Sequence, residues 1–96
     1  MNIIVKLGAP LSQVVGEREV TIVAPEKASV TEVLEELKAR YPDFDAGLRG
    51  KGLRWPPDEI LYALFVNARP VPFERADTTA LCDGDRIYLF LPVGGG

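Results

Sequence analysis

Hydrophobic positions change their spacing several times along the chain, and each change marks an element. Ile3, Val5 and Leu7 alternate with Asn2, Ile4 and Lys6, and after a break at Gly16 and Glu17 the period of two returns at Val20 and Ile22. This predicts two strands joined by a longish connection, with residues 11–16 forming a short helical turn that Gly16 ends. From Ser29 the period becomes helical, with Val30, Val33, Leu34, Leu37 and Tyr41 on one face. Ser29 followed by Glu32 makes a Ser-x-x-Glu capping box, and Pro42 blocks continuation beyond Tyr41. Glu32, Glu35 and Glu36 come early and Lys38 and Arg40 late, as the helix dipole favours, and this charged face reads as solvated surface.

Over residues 43–59 the apolar period disappears, and Gly47, Gly50, Gly52, Pro56 and Pro57 predict an inserted loop longer than a compact domain needs. Within it Arg49, Lys51, Arg54 and Trp55 have the chemistry of an anion or nucleobase platform; the favoured reading is that Trp55 folds back on the core while the cations face water. Residues 61–66 are continuously apolar, Asn67-Ala68-Arg69 reads as a turn, and residues 71–73 begin a partner strand that Pro70 and Pro72 confine to an edge. Residues 78–82 lead to the turn Asp83-Gly84-Asp85, whose glycine supplies positive φ, and residues 86–91 form the last strand. There Ile87, Leu89 and Leu91 face the helix while Tyr88 and Phe90 point away. The two aromatics make a docking patch unless the long loop covers them.

Strand, strand, helix, strand, edge strand, strand is an α+β order. It predicts a mixed sheet of four to five strands with one main helix on one face, a ubiquitin-like β-grasp. At 96 residues the chain is expected to be one domain spanning residues 1–96. Hydrophobic residues at 47% and charged residues at 26% are those of an ordinary globular protein, and no apolar run approaches the roughly 18–20 residues of a membrane span. With no basic leader, the expected compartment is the cytoplasm. A net charge of -3 argues against nucleic acid as a partner.

The single cysteine, Cys82, excludes an internal disulfide and a multi-thiolate metal site, and the absence of histidine removes the commonest general base. Autonomous catalysis and a bound cofactor or metal are therefore not expected. Cys82 reads as a small packed residue, because Asp83 and Asp85 beside it disfavour a thiolate. The pairs Asp43/Asp45 and Asp83/Asp85 lack enough further oxygen ligands and read as turn residues. The series Gly47, Gly50, Gly52 has neither the preceding strand nor the following Gly-Lys-Ser/Thr of a phosphate loop.

Pro92-Val93-Gly94-Gly95-Gly96 follows the last strand without a linker, and is expected to be a flexible tail. Glycine has no Cβ, so such a tail threads a narrow slot and suits delivery to another protein's active site. The stretch from Leu81 through Asp83-Gly84-Asp85 and the last strand to Gly95-Gly96 closely resembles the C-terminal signature of the MoaD/ThiS sulfur-carrier family. The resemblance extends to the opening strand, residues 11–16, the helix and the Val66-Asn67 turn. It leaves residues 43–59 without a counterpart in the shortest members, and length places the chain nearer the MoaD side. Leu91 stands where the family often has a proline, and Gly94 occupies its variable position.

The resemblance implies a protein cosubstrate, not an enzyme: the small subunit of molybdopterin synthase. A ubiquitin-activating-type enzyme uses ATP to join the Gly96 carboxylate to AMP, and a persulfide sulfur from a sulfur-donor protein displaces AMP to leave a thiocarboxylate. A larger synthase subunit then takes the sulfur for the dithiolene of molybdopterin. Gly94 and Gly95 supply reach, while Tyr88, Phe90, Pro92 and Val93 meet the partners. Open alternatives are a ubiquitin-like modifier joined to lysine, a sulfur carrier for thiazole or tRNA, and a β-grasp interaction module with an inert tail.

Overall fold

The alternating segments become strands and the helical-period segment becomes the main helix in the computed structural model, which describes residues 1–48 and 62–91. β1 (Asn2–Leu7) and β2 (Glu19–Val23) pair antiparallel on either side of α1 (Leu11–Val15), and α2 (Val30–Arg40) and α3 (Phe44–Leu48) follow. β3 (Ala63–Val66), β4 (Arg69–Pro70), a 3-10 turn (Phe73–Arg75) and β5 (Arg86–Phe90) complete the order. The sheet runs β2-β1-β5-β3-β4, with β5 parallel to β1 and antiparallel to β3. The last of the described strands is therefore the central strand of the sheet.

α2 covers one face. Val30, Val33, Leu34 and Leu37 join Ile3, Val5, Leu7, Val20, Ile22, Leu64, Val66, Ile87 and Leu89 in one buried cluster. The period of two decides which strand residues enter it, since alternate side chains point to opposite faces. The capping box closes in both directions: Glu32 N–H donates to Ser29 Oγ and Ser29 N–H donates to Glu32 Oε1, both at 3.2 Å. Such a cap contributes about 1 kcal/mol. Truncating a core residue such as Leu89 to alanine costs about 2–5 kcal/mol, so packing against the sheet outweighs the helix end in holding α2.

Three expectations are corrected. The start of the segment expected as a loop over residues 43–59 is helical: α3 occupies Phe44–Leu48, and Phe44 and Leu48 bury themselves from it. Gly47 is no breaker there: a Cβ on it would lie 2.9 Å from Leu11 Cδ1 and 3.0 Å from Val14 Cγ1, so glycine is what lets α3 approach α1. The rest of that segment, with Arg49, Lys51, Arg54 and Trp55, lies outside the described residues. The partner arm begins at Arg69 and not at residue 71, because the turn needs only Asn67 and Ala68, with Asn67 at a left-handed φ of 55°. Val71 still donates to Leu64 O at 2.9 Å before Phe73 enters the 3-10 turn, and Pro70 lies on the edge strand as expected. Cys82 is exposed, not packed: Leu81 takes the buried position before the turn and Cys82 falls on the outside.

Tyr62 precedes β3, which starts at Ala63, and is buried with a hydroxyl that finds no hydrogen-bond partner among the described residues. Burial pushes its phenol above its ordinary value, and the Leu11 backbone pulls less strongly the other way. Below about pH 10 the phenol is neutral in both folded and unfolded chains. Above it the unfolded chain loses the proton first, so stability falls with rising pH. Tyr62→Phe is expected to flatten that alkaline decline and to leave stability at neutral pH unchanged or raised by up to about 1 kcal/mol, read from denaturant midpoints between pH 7 and pH 11. A decline of the same slope in the variant would assign it to other groups.

No helix among the described residues is long and apolar enough to cross a membrane.

Candidate docking face and tail junction

β5 is fixed at its start by the Asp83-Gly84-Asp85 turn. Asn2 N–H donates to Asp83 Oδ1 at 2.6 Å and Gly84 N–H, at a left-handed φ of 84°, donates to Asn2 O at 2.8 Å. Asp85 accepts from Cys82 N–H at 2.8 Å through one carboxylate oxygen and from Asn67 Nδ2 at 3.1 Å through the other. Asn67 Oδ1 in turn accepts from Arg86 N–H at 3.1 Å. The turn, the start of β1 and the β3–β4 turn are thus tied together, and the register of β5 follows. This motif is scaffold: a one-residue slip would exchange its buried and open-facing side chains.

At the other end Gly8 N–H donates to Leu89 O at 2.8 Å, and half-buried Leu91 packs against the core. Pro92, Val93, Gly94, Gly95 and Gly96 lie outside the described residues.

The sheet face away from α2 carries Tyr88 and Phe90, as their alternation requires. Their rings stack with centroids 5.7 Å apart and planes 27° from parallel. Lys6 Nζ sits 5.9 Å from the Tyr88 ring centre and 3.7 Å from Glu19 Oε1, which holds a cation over the aromatic. Phe90 is 41% exposed, and Val23 at the outer strand is 74% exposed. The register adds Phe65 beside Tyr88 and Ala63 beside Phe90, and places Ile4 between Thr21 and Arg86. Ile4, Ala63 and Phe65 were not singled out in the sequence. The signal was there: Ile3-Ile4-Val5 and residues 63–66 are apolar in both phases, the pattern of a strand with two apolar faces. Aromatics that keep an exposed face in a fixed stack supply contact area at little ordering cost.

Fold and face together define a ubiquitin-like α+β grasp domain whose central strand carries an aromatic pair on the open side. A family model described as the ThiS family matches residues 5–96, and the chain belongs to that family. Small archaeal modifier protein 3 of Haloferax volcanii is 31% identical over 96 residues, covering 100% of both chains. The crystal structure of SAMP1 from Haloferax volcanii superposes with a TM-score of 0.77 at 25% identity, covering 100% of both chains. A candidate molybdopterin converting factor subunit 1 from Pyrococcus furiosus gives a TM-score of 0.71 at 28% identity, covering 97% of this chain and 99% of that one. The fold class and the family resemblance read from the sequence are borne out. The chain is a member of a ubiquitin-like sulfur-carrier and modifier family, whose members are small protein carriers, not catalysts.

Proposed function

We propose that the chain is a sulfur carrier whose Gly96 carboxyl group is activated by a separate ATP-dependent enzyme and then donates sulfur in molybdopterin formation. The observation that carries this reading is the family match running through residue 96, with the stacked Tyr88–Phe90 pair on the open face of the strand that precedes the glycines. A carboxylate resists nucleophiles because oxide is so poor a leaving group. One Gly96 carboxylate oxygen attacks the α-phosphorus of ATP and expels pyrophosphate, leaving an acyl adenylate. The outer sulfur of a donor protein's persulfide attacks the acyl carbon and expels AMP. A thiol then attacks the donor's inner sulfur and breaks the sulfur–sulfur bond that came with the persulfide, leaving a thiocarboxylate on Gly96 and a disulfide on the donor side.

Gly94 and Gly95 carry that terminus into the partner's site, while Tyr88 and Phe90, with Pro92 and Val93 beyond them, give the partner its grip. Recognition is thereby kept apart from chemistry. The chain binds no cofactor; ATP enters at the activating enzyme, and the larger synthase subunit holds the molybdopterin precursor. A reaction fed by ATP places the work in the cytoplasm.

The 31% identity to a protein named a modifier favours a second reading. There a lysine amine attacks the same adenylate, expels AMP and forms an isopeptide bond. Incubation with ATP, the activating enzyme and a persulfide donor, followed by intact-mass measurement, separates the two. The carrier reading expects the mass gain of one oxygen replaced by sulfur, lost again on adding the larger subunit and molybdopterin precursor. Isopeptide-linked products without that gain would support the modifier, and no ATP-dependent change would contradict both.

A further inference from the structure

Gly8 sits just past β1, where its N–H makes the 2.8 Å bond to Leu89 O that ties the end of β1 to β5. Its φ does not lie in the left-handed region, where only Gly16 and Gly84 are found among the described glycines. Backbone freedom therefore does not explain a glycine here. Space does: a Cβ on residue 8 would overlap Phe90 Cδ1 and lie 3.2 Å from Cε1, whereas Leu89 O, at 3.4 Å, leaves ordinary room. The Phe90 ring occupies the volume that any other residue's side chain would claim. Seated there, Phe90 stacks on Tyr88, which carries Lys6 over its ring.

We propose that Gly8 is a positioning residue for partner docking: its missing Cβ seats Phe90 against Tyr88, so that the pair meets a partner as one preformed apolar step. The inference rests on the docking role given to this face above. Because Phe90 is 41% exposed, a Cβ at residue 8 is relieved by swinging the ring into solvent, and the core stays closed. Positioning and stability are therefore separable. A partner would then have to reorder the ring on binding, and that ordering weakens association.

The test compares wild type, Gly8→Ala, Phe90→Ala and the double variant. Melting temperature, NMR contacts between the Phe90 and Tyr88 rings, and KM and kcat for adenylation by the activating enzyme are measured. Gly8→Ala is expected to keep the fold, lose the ring–ring contacts and raise KM about tenfold, with kcat held within about twofold, a size usual for coupled neighbours. In the Phe90→Ala background the same change is expected to add almost nothing. Retained ring contacts, an unchanged KM, or an equal effect in both backgrounds would overturn the proposal. If Gly8→Ala alone unfolds and the double variant folds, the overlap with Phe90 is upheld; if both unfold, Gly8 is structural and the proposal falls. A wild type that is never adenylated would instead sink the carrier reading, and the NMR contacts would still decide whether Gly8 holds Phe90.

Discussion

Removal of Gly95 and Gly96 is expected to abolish adenylation while leaving the melting temperature close to that of the full chain. Every buried hydrophobic residue of the described core lies at or before Leu89, so the fold has its packing without the last glycines. The shortened chain still ends in a glycine carboxylate, but one drawn back by roughly 7 Å, at about 3.3–3.6 Å per extended residue. Displacement by far less than that suffices to cripple a positioned reaction. ATP–pyrophosphate exchange with the activating enzyme and calorimetry on the same sample provide the check. Exchange at an undiminished rate would show that the glycines are not the reacting end, and a collapsed melting temperature would make them structural.

The second large effect is expected on the open face. Phe90→Ala and Tyr88→Ala should each weaken binding of the activating enzyme about thirtyfold, the roughly 2 kcal/mol of an interface anchor. Phe90→Ala should change the melting temperature little, since the ring is 41% exposed. Lys6→Ala should matter less, about threefold, because a cation over an exposed ring contributes only about 0.5–1 kcal/mol. Titration calorimetry of the three variants orders them. A Lys6 effect exceeding both aromatic effects would make the interface electrostatic and contradict an apolar anchor.

Much of this molecule was legible because its signals are local. Ser29 and Glu32 sit three residues apart, and either makes its bond without help from distant parts of the chain. Alternation in β1, β2 and β5 likewise named the buried residues one by one, and it put Tyr88 and Phe90 on the open side. What escaped depends on partners far off in sequence. Gly47 reads as a breaker until α1 is laid against it, when its missing Cβ becomes the reason α3 can pack. Phe44 and Leu48 went unrecognised because two apolar positions in a single turn make no period. The β3–β4 register turned on whether Asn67 would take a left-handed φ, which moved the edge arm two residues from where the prolines seemed to place it. Cys82 was misplaced because small size suggests packing, while the turn that follows faces it outward.

Within the candidate site, the aromatic pair was legible but its neighbours were not, since Phe65 meets Tyr88 only through the antiparallel pairing of β3 with β5. Gly8 was hidden for the same reason: its meaning lies in a ring eighty-two positions away along the chain.

The most direct measurement is the intact mass of the chain isolated from its own cells without reducing thiols. A population ending at Gly96 with one carboxyl oxygen replaced by sulfur is the expected result. A chain that carries only the carboxylate while sulfur transfer is active in those cells, or one that continues past Gly96, would contradict it.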